Sequence, residues 1–306
     1  MMLEHVLQSE IDSLNDQLQA QQEPFDELWS ARTHISGEIF LVSLRIHALR
    51  VLRVVGSLAT NGEHSVWGGV YDNLHTVVAL QSIALDTDVH GESLMCRPAS
   101  EYHDMKSGAK ERFVAGKLVF QGAWNALEMA GNLLSTGMVN ATIQAIRHQL
   151  AKGSYRPFFG LREALFDAHR LVACYIDTEH VAYREAIASG NYLCVATEYL
   201  RQFRNGILHG KIAETISFDC QENSEYGAPN LQTELFHTQI RLILFLLQAV
   251  IVRLEDRHIM IWPNDGDYVE EIIYGLQKEN SIETDGAWGD DIPLTLFADQ
   301  KYIDQI

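Results

Sequence analysis

Apolar side chains recur at three- and four-residue steps along most of this chain, and only 6 prolines interrupt them. That period belongs to helices that bury one face. Strands would show a two-residue alternation and turn signals every few residues, and neither is present at length. The expectation is therefore an all-α protein. The longest apolar run, Leu242 to Val252, has Gln248 inside it and is too short to cross a bilayer, so a buried helix is expected there. Short connections between apolar helices imply an antiparallel bundle.

Read in order, helices are expected at Leu3 to Gln21, His34 to Leu58 and Ser65 to Leu85. Leu7, Ile11, Leu14 and Leu18 give the first of them a narrow seam suited to docking within the chain. Residues 86–108 break the periodicity, carry Pro98 and mix charges, and so predict a domain junction. A compact helical unit should follow, with helices at Phe113 to Leu134, Val139 to Leu150, Phe158 to Ile176, Glu179 to Ala188, Tyr192 to Ile216 and Leu231 to Glu255. The polar stretch Asp219 to Asn230 reads as a loop. The expected organisation is an N-terminal helical domain over 1–95, a helical bundle over 96–256 and an acidic extension over 257–306.

Charge narrows the functional classes. The formal net charge is -18, which argues against tight, non-specific nucleic-acid binding. The acidity sits at the two ends, whereas residues 96–170 hold ten basic and six acidic side chains. A local basic surface is thus compatible with the rest. The opening residues, M-M-L-E-H-V-L-Q-S-E, have neither a basic nor an apolar leader region, and the expectation is a cytoplasmic protein with no membrane partner. Cys96, Cys174, Cys194 and Cys220 have no ligand-type spacing, which predicts reduced thiols. No P-loop, dinucleotide glycine fingerprint or serine elbow occurs, and neither a cofactor nor a metal is expected.

One short stretch carries chemistry. An Arg, four to six intervening residues and then a His occurs four times: Arg97/His103, Arg162/His169, Arg204/His209 and Arg253/His258. Spacing alone therefore selects nothing. Only Arg204 is followed directly by Asn205 and then by Gly206, Ile207, Leu208, His209 and Gly210, after an apolar-periodic helix and before the long last one. On composition alone, Arg204 reads as a surface ion-pair residue and His209 as a helix C-terminal histidine before a capping Gly210. At about 100° per residue, Asn205 and His209 fall about 40° apart and Arg204 and His209 about 140° apart. Gly206 offers a local departure from the helix at a cost of about 1 kcal/mol. Cleaving RNA through its 2′-hydroxyl needs proton transfer near neutral pH, which suits imidazole, and a rigid cationic fork on the phosphate, which suits Arg.

The stretch Arg204 to Gly210 resembles the R-N-x-x-x-H-G signature of HEPN domains, and Ala123 to Ala130 (A-W-N-A-L-E-M-A) is similar to an early helix of that family. The resemblance covers roughly residues 109–256. It implies a HEPN-like antiparallel bundle preceded by an additional helical domain. It also implies a metal-independent endoribonuclease, of the kind found in bacterial toxin and phage-defence systems. By the same resemblance His209 is the general acid or base, Arg204 neutralises the scissile phosphate, and Asn205 holds the phosphate or fixes the imidazole. Glu128 is a supporting carboxylate. The implied partners are an RNA substrate, a second copy with its motif facing across a homodimer, and a regulatory protein. The alternative implied is a non-catalytic HEPN scaffold that binds a protein or nucleotide. Toxins of the family that are controlled by adenylylation carry Tyr two residues after the His, where this chain has Lys211.

Overall fold

A computed structural model describes residues 34–35, 39–40, 44–61, 65–80, 83–85, 87–88, 96–134, 142–151, 161–172, 176–212 and 229–254. The expected helix over Leu3 to Gln21, most of the loop Asp219 to Asn230 and the acidic extension lie outside these residues. What is described is all-α, with eight helices and one two-residue strand pair.

Strands β1 (His34–Ile35) and β2 (Ile39–Phe40) pair antiparallel, His34 opposite Phe40. The helix expected from His34 therefore begins later, as α1 (Leu44–Asn61). Ile35, Ile39 and Phe40 are β-branched or aromatic and flank Gly37, a combination that favours a hairpin over helix initiation. Helix α2 spans Ser65–Ala79.

Helix α3 (Arg97–Asn132) corrects the expected junction. Pro98 was read as a breaker, but it sits in the first turn, where its missing N–H costs no hydrogen bond and its fixed φ suits the helix. The helix then runs 36 residues, about 54 Å, through the stretch expected to separate two units. Helices α4 (Thr142–Ala151), α5 (Leu161–Val172), α6 (Val181–Ala188), α7 (Tyr192–Leu208) and α8 (Pro229–Leu254) follow, each near its expected place. Helix α7 stops eight residues early, at Leu208.

Helix α8 is the hub. It packs on α1, α3, α4, α5 and α7, and every described residue from Leu235 to Ile251 is buried. Among the described residues it alone is long and apolar enough to cross a membrane (Thr233–Ile251), yet 94% of that window is buried inside the fold. Helices α1 and α2, expected in a separate unit over 1–95, pack on α8 and α3, and their apolar faces join one core with the remainder.

That core contains a polar group of note. His47 of α1 accepts from Arg241 at Nδ1 (3.1 Å), donates from Nε2 to Gln248 Oε1 (3.1 Å), both on α8, and meets Phe245 edge to face. Burial, then the charge of Arg241, holds the His47 imidazole well below its usual range, so it is neutral at physiological pH. Burial also pulls the Arg241 guanidinium down to about 9, which leaves it cationic there.

Candidate functional site at the end of helix α7

Helix α7 begins on Asn191, whose side chain accepts from the Leu193 N–H. Its buried face is apolar, with Leu193, Ala196, Leu200, Phe203 and Ile207. Its end is fixed by two glycines. Gly210 adopts φ +68°, its N–H donates to the Ile207 carbonyl (3.2 Å), and the Lys211 N–H reaches back to Gly206 (2.8 Å). These are the paired bonds of a Schellman ending, which leaves His209 as the C-cap residue. Ile212 then folds over Gly206, where an added Cβ would lie 2.8 Å from its Cδ1. Gly206 was expected to let the helix depart locally so that Arg204 meets His209. It instead sits buried in regular helix as the seat for Ile212, and the departure comes at Gly210.

The motif residues take different positions around this ending. His209 is exposed, and its backbone N–H donates to the Asn205 carbonyl (2.9 Å). Asn205 is half-buried beside it on the same face. Arg204 turns toward α3. Its guanidinium carbon stands 5.2 Å from the Trp124 ring centre, and Nη2 is 3.9 Å from Glu128 Oε1. Glu128, named from the sequence only as a supporting carboxylate, is thus brought to Arg204. Both side chains of the pair are about a third exposed (32% and 38%), and at this distance the pair is worth about 0–1 kcal/mol.

Trp124 is the residue that sequence reasoning missed. It is 1% exposed and stacks on Phe120 (6.1 Å, 26°). Phe120 meets Phe203 of α7 edge to face (5.0 Å), and Phe203 meets Phe236 of α8 (5.8 Å). An aromatic chain therefore ties the central helix to the plane on which the guanidinium rests. Cation–π contact on a desolvated indole is worth about 2 kcal/mol, more than the loose pair with Glu128. The Arg204 Nε is buried without a hydrogen-bond partner, so the ring rather than a polar clamp sets its orientation. The available signal was the four-residue step from Trp124 to Glu128, which stacks both on one face of α3.

The polar face of α7 carries a second pattern legible in the sequence. Glu198, Arg201, Gln202, Asn205 and His209 stand at i, i+3, i+4, i+7 and i+11, within about 100° around α7. Glu198 is 2% exposed, yet it accepts both arms of Arg201 (2.8 and 2.5 Å) and a bond from Gln202 (3.0 Å). Burial pushes its carboxyl up, but the bonds from Arg201 and Gln202 and the charges of Arg201 and His180 outweigh that and hold it below the usual range. The polar face of α7 is therefore locked one turn ahead of the motif.

The competing Arg/His pairs are engaged elsewhere. His103 is buried 3.6 Å from Asp88, and Arg97 pairs with Glu101. His169 hydrogen-bonds and stacks with Tyr199, while Arg162 lies over Phe166. His258 lies outside the described residues. Of the three described His partners, His209 alone is exposed. In comparisons with protein-family models, with curated proteins and with solved structures, this chain matches none.

Proposed function

We propose that this chain is a metal-independent endoribonuclease of HEPN type, with α3, α4, α7 and α8 as the HEPN-like bundle. The observation that carries the reading is that one helix end presents an exposed imidazole, His209, and a guanidinium, Arg204, seated over the Trp124 ring. His209 removes the proton from an RNA 2′-hydroxyl, and the 2′-oxygen attacks the adjacent phosphorus. The bond to the 5′-oxygen breaks, and that oxygen takes a proton from a second imidazole. The products are a 2′,3′-cyclic phosphate and a 5′-hydroxyl. Arg204 offers two N–H groups to the phosphate as charge builds. Leaving Glu128 for a phosphate costs little, because that pair is loose. Asn205 orients the phosphate or the imidazole.

The second imidazole comes most simply from another copy of the chain, with its motif facing across a two-fold axis. A role in toxin or defence biology, under a regulatory protein, rests on the family resemblance alone. Cleavage of a mixed RNA pool in EDTA, with light scattering on the same sample, tests the reading. Dimeric protein that cuts in chelator and leaves cyclic phosphate ends is expected. Cleavage that stops in EDTA and returns with Mg²⁺, or full activity from a strict monomer, would sink it. A dimer that binds RNA or a nucleotide without cutting would favour the scaffold alternative.

A further inference from the structure

Toward the N-terminus of α3, the face that meets Arg204 carries a row of lysines. At about 100° per residue, Lys106, Lys110, Lys117, Trp124 and Glu128 fall within about 40° of one another. Lys110 and Lys117 are exposed, and the Lys106 ammonium stands 5.9 Å from the centre of the Tyr102 ring, which is 36% exposed. The acidic residues of this stretch, Glu101, Asp104 and Glu111, lie about 100° or more away around the helix. Four lysines occur among the described residues, and they are these three and Lys211, which is exposed two residues past His209. On a chain of net charge -18 such sorting is specific. A solvated surface helix would mix its charges around the axis, as the far side of α3 does with Arg97, Glu101 and Arg112.

We propose that this lysine face is a backbone track for single-stranded RNA, leading along α3 into the Arg204–His209 site. From Lys106 to Trp124 is 18 residues, about 27 Å of helix, a length for several nucleotides rather than one. Ammonium groups suit the track because they neutralise phosphates as point charges and demand no register. The fork at Arg204 then fixes the one phosphate to be cut. Single strands fit better than duplex, because the site needs a 2′-hydroxyl and phosphate free to turn toward His209. Tyr102 at the far end offers a ring on which a base can stack. The inference rests on the cleavage reading for the identity of the nucleic acid, but its geometry is separate from the motif.

The test is binding of a fluorescent 2′-O-methyl 12-mer, which lacks the attacking hydroxyl, to the full chain at several salt concentrations. Two double variants remove equal charge from the same helix. Lys110→Gln with Lys117→Gln should lower the slope of log affinity against log salt by about 1.4, at about 0.7 per single-strand phosphate contact. Arg97→Gln with Arg112→Gln, on the far side, should leave the slope unchanged. The lysine variant should raise KM for a long RNA while leaving kcat alone, and should not alter binding of a trinucleotide. Equal losses from both variants, no loss from the lysine variant, or tighter binding of a duplex of the same sequence would overturn the track. His209→Ala measured alongside separates the two ideas. Should it cut like wild type while the lysine variant loses affinity, the cleavage reading fails and the track stands. Should it stop cleavage while the lysine changes leave binding intact, the track fails and the cleavage reading stands.

Discussion

Gly210 holds the motif in place through its backbone alone. At φ +68° a Cβ meets the carbonyl, with open space around it and nothing else to hit. Gly210→Ala should therefore cost about 1 kcal/mol by strain only, read as a lower urea midpoint with unchanged m. Gly210→Asn should recover most of it, because Asn tolerates the left-handed region. Cleavage should follow the same order, since His209 is the residue just before this turn. Equal stability for all three chains would show that the helix ends in another way. Gly206 differs, because there the obstacle is Ile212 rather than φ. The residues R-N-G-x-x-H-G thus mix two kinds of requirement: the glycines shape the ending, and the polar side chains are presented by it.

Among the elements, α4, α5, α6 and α8 were legible to within a few residues, because their apolar faces repeat cleanly and their ends are punctuated. Helices α2 and α7 end sooner than expected, at Ala79 and Leu208, and two starts differ for physical reasons. Pro98 stops a helix from within but starts one from its first turn, and the sequence alone did not say which turn it occupied. The strand pair at His34 to Phe40 is two residues per strand, shorter than any alternation can reveal. Of the site, Arg204, Asn205, His209 and Glu128 were visible as residue types with spacing. The plane that orients Arg204 was not, because Trp124 reads equally well as core and acquires its second role only when α7 crosses α3.

Contacts between elements also predict a pH response. His47, wholly buried between α1 and α8, is kept neutral by burial first and then by the charge of Arg241. Once unfolded it ionises near its usual 6.5. Below that pH the unfolded chain binds one more proton than the fold does, so stability is complete above about 6.5 and falls as the pH drops. From pH 7.5 to 5.5 the loss from this residue should be on the order of 1 kcal/mol. His47→Gln, which keeps hydrogen-bonding groups and cannot titrate, should flatten the urea midpoint over that range by a comparable amount. An unchanged pH dependence in the variant would mean that His47 is charged or accessible in the fold.

Taken whole, the molecule places an apolar helix at its centre, an aromatic chain from that helix outward, and a short polar motif at the rim. Phe236, Phe203, Phe120 and Trp124 connect these in order. Rigidity at Arg204 is thereby supplied by the core, while His209 remains open to a substrate. The measurement that bears most directly on this account is the RNA-cleavage rate of His209→Ala against wild type, with circular dichroism as the control for folding. Removal of a general acid or base should lower the rate about 10²–10⁴-fold with the helical signal unchanged, because His209 is exposed and supports no core contact. Cleavage by the variant at the wild-type rate would contradict the account.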